Sequence, residues 1–492
     1  MGDRRMLKKK LVSSVVILIL LLIICMPATA GKPAPNKIQQ IDHYAEAFFK
    51  EQRIPGASIA LVHNGKMYYS KAWGVTGAHE KPITLQTPFI IGSISKSLTG
   101  LAIAKLIQDK KIQLNAPVKH YLSWFRVKDQ EASEHMTIKQ LLDHTSGLSY
   151  ESGLVIADKG ERDIGAIKRD VKTLANVTLI AKPGVKYQYS NTNFLILGAV
   201  IQAVTHTSFS RYMSEEVFRP LGMTHAAAEQ KTAEKKGYLP GYQSWFGYPK
   251  KTVIAYDNGG TPYEYIAASA LDLVQYMNFL QGMNAVGYLT PENLKKYTSP
   301  LYKIDPDEYY GFGLRVSYPG AKEEVVWHSG TTPDAHAEFF VYPHTGWSGV
   351  ILTNKNHAEE ESTLPFLKRG LIRLMNGQEP VSIPTKPAPA IQLIMVALCV
   401  MLLVVTVYLI LKIRARLIRK KWTCRITGIS LGVLSIIVIP LYIRNSEAPW
   451  HSIKAFAPDL AFLIQLLVTC LAITALVLLL ASFTVKKNMI FK

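Results

Sequence analysis

A serine and a lysine lie three positions apart at Ser93 and Lys96, and no other serine of the 492-residue chain is followed by a lysine at this spacing. Residues three apart on a helix lie on the same face. A serine hydroxyl is a weak nucleophile at its ordinary pKa, and a lysine screened from water can take its proton as a neutral amine. The pair predicts a nucleophilic serine, although a solvated helix face could carry both residues by chance.

The flanking residues predict that Ser93 lies where a strand meets a helix. Residues 87–91 form a short extended run, and apolar residues then recur at helical spacing from Leu98 to Leu106. The first turn of a helix has unpaired N–H groups and the positive end of the helix dipole. An alkoxide at Ser93 and an oxyanion beside it are expected to be stabilised there.

A Tyr-x-Asn tripeptide at Tyr189 and Asn191 could supply a second hydroxyl and an amide. The same pattern occurs at Tyr256 and at Tyr276. Tyr276 lies within a helical pattern, where an aromatic side chain is expected to pack, and Tyr256 precedes an Asp-Asn-Gly-Gly turn. Because Tyr189 follows a polar turn and leads into the apolar run 194–204, we predict Tyr189 and Asn191 as site residues.

A His-x-Gly tripeptide occurs at His63, His328 and His344. The first and last are flanked by strand-like runs and predict hairpin turns. His328 instead ends the strand-like run 325–327, so its side chain is expected to face a cleft at the edge of a sheet. Gly330 would let the backbone of a substrate approach closely. A lone histidine is more often structural than catalytic, so the prediction for His328 depends on the other motifs.

With these motifs the chain resembles the serine β-lactamase-like superfamily, in the branch with class C β-lactamases, D,D-carboxypeptidases, penicillin-binding protein-related hydrolases and FmtA-like membrane-anchored serine hydrolases. The resemblance covers residues 37–378. His328 stands where β-lactamases usually carry lysine, so D,D-peptidase or D-alanyl esterase chemistry is expected rather than efficient β-lactam hydrolysis. Further segments with this resemblance follow in the family's order at 54–58, 108–118, 141–148 and 310–314.

The resemblance implies roles for the first two motifs. Ser93 attacks a carbonyl carbon and becomes acylated, while Lys96 and Tyr189 share the proton transfers. Asn191 holds Lys96 and the amide of the substrate. Because no glutamate in a motif stands out as a deacylating base, Tyr189 also activates the incoming water or acceptor, as base in one half-reaction and acid in the other.

The resemblance also implies roles around the His-x-Gly motif. His328 orients Tyr189 or a carboxylate of the substrate. The backbone N–H groups of Ser93 and Thr331 form an oxyanion hole beside Ser329 and Gly330, and such a hole stabilises the transition state by several kcal/mol.

The first 30 residues are typical of a targeting segment. Five cations precede the apolar run 11–26, and residues 28–30 form a small-x-small cleavage site. Residues 1–30 are therefore interpreted as a secretory signal peptide or, without cleavage, as an amino-terminal anchor. Ile24 is too bulky before Cys25 for a good lipoprotein processing site, so lipidation is a minor alternative.

The last hundred residues have a different composition. Three apolar stretches at 391–411, 426–443 and 460–485 approach or exceed the ~20 residues that span a bilayer. The loop between the first two carries seven cations, whereas the next loop balances its charges. By the positive-inside rule the basic loop is cytoplasmic. Residues 391–492 are then a multi-pass membrane region with three transmembrane helices, 380–390 a Pro-rich linker, and 31–379 an extracytoplasmic catalytic domain.

Charge and cysteine content restrict the partners. The formal net charge of +20 is concentrated in the amino terminus, the basic loop and the carboxyl-terminal tail, so it reports membrane orientation and argues against a nucleic-acid partner. All four cysteines lie in the signal or membrane region, so no disulfide is expected in the outer domain. The histidines lack metal-ligand spacing, and neither a metal nor a cofactor is expected. The lipid bilayer is the expected partner, and protein partners stay unknown.

Strand-like runs near both ends of the outer domain predict one antiparallel sheet, with helical material between 95 and 280 filling the middle. Together with the resemblance, the fold class is α/β, of the β-lactamase/transpeptidase type: an antiparallel sheet flanked by helices plus a helical lobe, with the site in the cleft between them. The predicted strand-like runs are 57–62, 67–72, 325–327, 338–342 and 349–353.

Two classes of function stay open. The first is a cell-surface serine hydrolase or acyltransferase acting on D-alanyl groups, either amides of cell-wall peptidoglycan or esters of teichoic acid. The second is a membrane-tethered binding or sensor protein with little or no activity, its three helices serving as a partner-binding module. The complete set of Ser93, Lys96 and Tyr189 favours the enzyme, and Ser93→Ala is expected to abolish turnover without unfolding the domain.

Overall fold

The computed structural model of the protein describes residues 36–252, 254–283, 287–415, 417 and 420–484. The expected signal peptide or anchor, with Cys25, lies outside the described residues. The strands are β1 Gly56–His63, β2 Lys66–Gly74, β3 Phe89–Ile90, β4 Tyr242–Trp245, β5 Tyr248–Lys251, β6 Ala267–Ala268, β7 Tyr302–Asp305, β8 Glu308–Gly311, β9 Leu314–Ser317, β10 Val325–Thr332, β11 Ala335–Tyr342, β12 Trp347–Thr353 and β13 Lys355–Asn356.

Seventeen α-helices occur in the described part of the chain. They are α1 Lys37–Glu51, α2 Ile94–Gln108, α3 Val118–Tyr121, α4 Gln130–His135, α5 Ile138–Leu142, α6 Tyr150–Ile156, α7 Ala166–Thr173, α8 Asn191–Thr205, α9 Phe209–Tyr212, α10 Gln230–Lys235, α11 Ala270–Leu280, α12 Pro291–Thr298, α13 Leu364–Met375, α14 Ala390–Arg414, α15 Lys421–Ser446, α16 Trp450–Phe456 and α17 Pro458–Thr484.

The central layer is an eight-stranded antiparallel sheet in the order β2-β1-β12-β11-β10-β9-β8-β7. Ala57 of β1 pairs with Thr353 of β12, so strands from both ends of the domain meet in the middle of the sheet. This confirms the predicted sheet. The three strands β7, β8 and β9 extend it at one edge beyond the prediction, because each is four residues long and carries polar side chains that hide its alternation.

Both faces of the sheet are covered by helices. Along β12, Val350 and Leu352 point into a large core that includes α2 and α8, whereas Ile351 points into a smaller core formed with α1 and α13. This alternation is the two-residue period of a strand with apolar side chains on both sides. The β-lactamase/transpeptidase-like arrangement of sheet, flanking helices and helical lobe is therefore present.

The helix α2 lies at the centre of the domain. Its side chains are buried on nearly all sides, from Ile94 to Leu106. At Gly100 an added Cβ would lie 1.9 Å from the carbonyl oxygen of Phe312, so the helix and the loop before β9 touch backbone to backbone. A helix packed this closely holds the residue at its amino terminus in a fixed position.

The region between 95 and 280 is not wholly helical. The strands β4 and β5 form a hairpin, and β4 pairs in parallel with β13 to complete a small three-stranded sheet. The prediction of helical material between 95 and 280 did not include this hairpin at residues 242–251, where the sequence Tyr-Gln-Ser-Trp and a Phe-Gly turn favour it.

Three carboxyl-terminal helices, α14, α15 and α17, are long and apolar enough to cross a membrane by length and composition. They match the three predicted stretches. Both α14 and α15 pack on α17, with Thr406 and Thr474 in hydroxyl contact at 2.6 Å and Gly428 fitted against the backbone of Ala475. The short helix α16, between α15 and α17, is an additional element that the apolar pattern does not predict.

The residues before α14 lie in extended chain against the catalytic domain. The side chain of Gln52 donates to the carbonyl oxygen of Pro384 at 2.6 Å, and Lys386 Nζ lies 2.5 Å from Glu360 Oε1. The prolines restrict the backbone of this segment, and its polar contacts attach it to the surface of the domain.

Candidate active site

Ser93 lies immediately before α2, after the short strand β3, as predicted. The backbone folds into a tight turn in which the Ser95 N–H donates to Gly92 O at 2.9 Å. Gly92 has φ of +54°, a conformation that favours glycine, and a Cβ there would lie 2.3 Å from Thr331 N. The turn can therefore approach β10 closely enough for the two segments to share one site.

Lys96 is the partner of the Ser93 hydroxyl. Its Nζ lies 2.8 Å from Ser93 Oγ and donates to the carbonyl oxygen of Tyr263 at 2.9 Å. The side chain is fully buried. Burial lowers the pKa of Lys96 to about 7, Glu264 opposes that shift, and Arg315 adds to it. A neutral amine is thus accessible near neutral pH, and the Tyr263 carbonyl orients it so that it can accept the Ser93 proton.

The side chain of Tyr189 lies beside both Ser93 and Lys96. Lys96 Nζ lies 4.8 Å from the centre of the Tyr189 ring, and the ring of His144 lies 4.5 Å away on another side. Burial raises the pKa of Tyr189 above its ordinary value, and the neighbouring Ser93 hydroxyl lowers it by a smaller amount. In the resting site Tyr189 is therefore a neutral phenol that can donate a proton.

Asn191 is the first residue of α8 and faces the site from the helical lobe. Its side-chain amide donates to Glu264 Oε2 at 3.4 Å. The expected contact between Asn191 and Lys96 is absent from the hydrogen bonds of the described residues, where Lys96 bonds to Tyr263 instead. Asn191 and Lys96 are connected through Glu264, whose charge acts on the amine.

Glu264 is a site residue that the sequence motifs did not identify. It is 5 % exposed, and burial is the largest cause that raises its pKa well above the ordinary value, while the positive charge of Lys96 lowers it. A signal was present, because Glu264 is the one charged residue in the otherwise uncharged run 262–268. A carboxyl group buried in such a run needs a polar partner, and here Asn191 and Lys96 provide it.

His328 projects from β10 into the site, as predicted. Its Nε2 lies 3.4 Å from the Tyr310 hydroxyl, and its ring centre is 6.3 Å from that of Tyr189. Burial lowers the pKa of His328 well below its ordinary value, and the positive charges of Arg315 and Lys96 lower it further. The imidazole is therefore neutral, and it packs beside Tyr189 without supplying a positive charge.

Arg315 supplies the permanent positive charge that His328 does not. It lies on β9, pairs with Glu308 and places its guanidinium carbon 6.0 Å from the centre of the Tyr189 ring. The sequence signal was its position directly after the segment 310–314, which carries part of the family resemblance. A guanidinium at this place can bind a carboxylate or phosphate oxygen of a substrate.

The end of β10 meets the Ser93 turn at Gly330. A Cβ on Gly330 would lie 1.9 Å from Ile91 O and 2.7 Å from Ser93 N. The backbone nitrogens of Ser93 and Thr331 are thus on two segments in direct contact, the arrangement that an oxyanion hole needs. Ser329 and Thr331 line the same cavity as Ser93.

The site opens into a cavity of about 630 Å³. Four of the five predicted catalytic side chains line it directly: Ser93, Tyr189, Asn191 and His328. The fifth, Lys96, is fully buried. Among the described residues no cluster of three or more His, Cys, Asp or Glu side chains is placed to hold a metal ion. The further lining residues used below are Asp158, Glu264, Arg315, Glu361, Tyr442, Ser446, Ile453 and Phe456.

Comparison with known proteins shows the family of the chain. Residues 41–370 match the family described as Beta-lactamase, and the chain belongs to that family. It is 30% identical over 320 residues to Protein flp of Staphylococcus aureus strain MRSA252, covering 65% of this chain and 63% of that protein. It is 31% identical over 219 residues to a teichoic acid D-alanine hydrolase of Staphylococcus aureus, covering 43% of this chain and 52% of the relative.

Solved structures share the fold. The octameric penicillin-binding protein homologue from Pyrococcus abyssi superposes with a TM-score of 0.58 and 24% identity, over 70% of this chain and 79% of that one. EstCE1, a hydrolase with promiscuous acyltransferase activity, superposes with a TM-score of 0.58 and 21% identity, over 68% and 98%. With its family and its relatives, the chain is a serine hydrolase. The match spans less than two thirds of the length of Protein flp.

Proposed function

We propose that the protein is a membrane-anchored, cell-surface serine hydrolase or acyltransferase that removes D-alanyl groups from the cell envelope through an acyl-enzyme at Ser93. The observation that carries this proposal is the 2.8 Å contact between Ser93 Oγ and the buried Lys96 Nζ. A surface lysine would be protonated at neutral pH and could not accept a proton. A buried one with its pKa near 7 can do so.

Acylation uses the resting protonation states of the site. Ser93 Oγ bonds to the carbonyl carbon of the D-alanyl group as its proton moves to Lys96 Nζ. The backbone N–H groups of Ser93 and Thr331 receive the developing oxyanion. The bond to the leaving alcohol or amine then breaks, and the leaving group takes the phenolic proton of Tyr189. The acyl-enzyme therefore holds a Lys96 ammonium beside a Tyr189 phenolate, and each charge stabilises the other.

Deacylation reverses these transfers. The Tyr189 phenolate takes a proton from water or from an acceptor hydroxyl. The oxygen of that water or acceptor attacks the acyl carbon at the same time. Ser93 Oγ leaves and recovers its proton from Lys96 Nζ. The site returns to a neutral amine, a neutral phenol and a free serine, so no separate deacylating carboxylate is required. Glu264 stabilises the Lys96 ammonium during the intermediate stage.

We favour a D-alanyl ester of a teichoic acid-type polymer over a peptidoglycan amide. The acyl group of such an ester carries a free ammonium, and three carboxyl groups, those of Asp158, Glu264 and Glu361, line the cavity. Arg315 can bind a phosphate of the polymer backbone. A relative of this chain is named a teichoic acid D-alanine hydrolase, which supports the same substrate class.

The proposed location follows from charge and hydropathy. The cations of the segment between α14 and α15 favour its position in the cytoplasm, and the catalytic domain then lies outside the membrane. Such a location matches the proposed substrate, because teichoic acid-type polymers and peptidoglycan are extracytoplasmic.

The test is intact-mass analysis of the full-length protein in detergent after exposure to a fluorescent penicillin and, separately, to a chromogenic D-alanyl ester. We expect a covalent adduct or turnover that Ser93→Ala abolishes. Ser123→Ala, an exposed serine outside the site, is the matched control and should react like the wild type. Retained turnover in folded Ser93→Ala would contradict the assignment, and silence of the wild type with both reagents would favour the binding or sensor function.

A further inference from the structure

One wall of the catalytic cavity comes from the carboxyl-terminal membrane region. Tyr442 and Ser446, at the end of α15, line the same cavity as Ser93. Ile453 and Phe456 of the short helix α16 line it as well. The segment 442–457 therefore shares a cavity with the nucleophile, although it is about 350 residues away along the chain.

This wall is fixed to the catalytic domain by specific polar contacts. The Ala358 N–H donates to the carbonyl oxygen of Phe456 at 2.9 Å, and the Gln243 amide donates to that of Ala455 at 2.6 Å. His451 Nε2 lies 3.1 Å from the carbonyl oxygen of Leu154, at the end of α6. Two contacts to backbone carbonyls at the end of α16 and one from its His451 side chain therefore attach this helix to three segments of the catalytic domain.

A second group of contacts attaches the start of α17. Asp459 is almost fully buried, and it accepts from the Phe246 N–H at 2.8 Å and from His357 Nε2 at 3.0 Å. The Gln392 side chain at the start of α14 also donates to Asp459. A buried carboxylate with several donors is a strong polar anchor. The ends of the apolar helices and the catalytic domain therefore form one packed interface.

The position of this interface relative to a bilayer follows from helix length. The helix α15 has 26 residues and is about 39 Å long, which exceeds the ~30 Å hydrocarbon core. Tyr442 lies four residues before its end, within about 6 Å along the helix axis. Since α15 ends and α17 begins beside the cavity, we expect the cavity to lie near the lipid headgroups when these helices span a bilayer.

We infer that the segment 442–457 is a specificity-determining wall of the active site, and that it selects substrates anchored in the same bilayer. This inference rests on the proposed function and narrows its substrate class to D-alanyl esters of an anionic polymer that is held in the membrane by a lipid. A lipid-anchored chain leaves the headgroup layer next to Tyr442 and Ser446 and meets Arg315 and Ser93 above them. A polymer that is attached to the cell wall or is soluble has to reach the cavity from the side that faces away from the membrane.

Anchoring favours the selected substrate for a general reason. When enzyme and substrate share one membrane, the second encounter is confined to a surface and the effective concentration rises to the millimolar range. The apolar side chains of Ile453 and Phe456 also offer contacts to the apolar part of a lipid anchor where it leaves the bilayer, and a water-soluble chain has no apolar group to fill them. The preference is therefore expected in kcat/KM.

The experiment uses full-length protein in lipid nanodiscs and two D-alanyl glycerophosphate substrates with identical head structures. One carries a dipalmitoylglycerol anchor in the same nanodisc. The other keeps its D-alanyl ester but lacks the two palmitoyl chains, so it is soluble in water. For wild-type protein we expect kcat/KM to be at least about tenfold higher for the anchored form. Phe456→Ala, and separately Ser446→Trp at an exposed wall position, should each lower the preference by about threefold or more relative to wild type, because the wall contacts are lost while the shared anchoring remains.

The control is Lys454→Ala, because Lys454 lies on α16 but is exposed and does not line the cavity. It should retain the wild-type preference. Equal kcat/KM for the two substrates in wild-type protein would overturn the inference while leaving the proposed function intact. An unchanged preference in both wall variants, with folding verified by thermal unfolding, would also overturn it. Inactivity towards both substrates and towards a small chromogenic ester would instead contradict the proposed function itself, and the inference with it.

Discussion

Lys96 is the residue whose charge decides when Ser93 can react. Because burial lowers its pKa to about 7, the neutral amine increases as the pH rises through 7. We therefore predict that kcat/KM for a chromogenic ester rises with pH across that value and levels off above it. Lys96→Arg keeps the positive charge but has no accessible neutral form, so its kcat/KM should fall on the order of 10²–10⁴-fold. A flat pH profile between 5.5 and 8.5, about 1.5 units to either side of that pKa, would contradict this role for Lys96.

Glu264 modulates that titration. Its charge raises the pKa of Lys96, against the larger effect of burial. In Glu264→Gln the opposing effect is removed, so the rise in kcat/KM should move to lower pH. A pH–rate profile measures the shift directly. Glu292→Gln is the control, since Glu292 is an exposed carboxylate on α12 outside the catalytic cavity and does not act on the pKa of Lys96. An unmoved profile in Glu264→Gln would mean that Glu264 is protonated in the working enzyme.

The motif residues and the remaining site residues differ in how far the sequence reveals them. Ser93 and Lys96 could be predicted because one helical turn joins them, so their contact is local. Tyr189 and His328 were identified by choosing among three tripeptides of each type from their flanking patterns. Glu264 has no motif, and its proximity to Lys96 arises when the chain returns to the core 168 residues later. Contacts of that kind depend on tertiary packing that no local spacing encodes.

At the scale of elements, the site depends on the close approach of β10 to the turn before α2. Gly330 permits this approach, since a Cβ would lie 1.9 Å from Ile91 O. Gly330→Ala must push the two segments apart, and we predict a loss of about 1–3 kcal/mol in the free energy of unfolding. The same separation displaces Thr331 from the oxyanion, so kcat for a chromogenic ester should fall more than KM changes. Thermal unfolding and steady-state kinetics measure both effects.

The control for this substitution is Gly165→Ala. Gly165 precedes α7 with φ of −86°, and a Cβ there meets the exposed side chains of Asp163 and Arg169, which can move. We expect its stability and kcat to stay near those of the wild type. If Gly330→Ala behaves like Gly165→Ala, the packing of β10 on the Ser93 turn does not determine the geometry of the oxyanion hole.

Elements were predictable in proportion to the strength of their periodicity. The strands β1, β11 and β12 carry seven or eight residues with apolar side chains on both faces, so they stand out in the sequence. The strand β9 has four residues with alternating burial, too few for its period to show. The helix α16 has seven residues of mixed polarity between two long apolar stretches, and it acquires its role from the cavity that it closes.

At the scale of the whole molecule, the sequence indicates a catalytic domain, a proline-rich linker and a membrane region as successive segments. The change in composition near residue 390 makes that division visible, but composition says nothing about contacts between the segments. The structure joins them through buried polar groups, including Glu360, which Lys355, Lys386 and Ser244 contact from three segments. Such complementary pairing could not be anticipated, because each group alone resembles an ordinary surface residue.

Asp459 tests whether this joined arrangement is the working state. Asp459→Asn removes the charge that accepts from Phe246 and His357, and a charge-assisted hydrogen bond contributes about 1.5–3 kcal/mol. We predict faster amide hydrogen exchange in β4 and α16, together with a weaker preference for a lipid-anchored ester. Asp109→Asn, at an exposed pair with Lys105, should change neither. Unchanged exchange in Asp459→Asn would show that the remaining contacts of α16 hold the wall by themselves, and the preference should then persist as well.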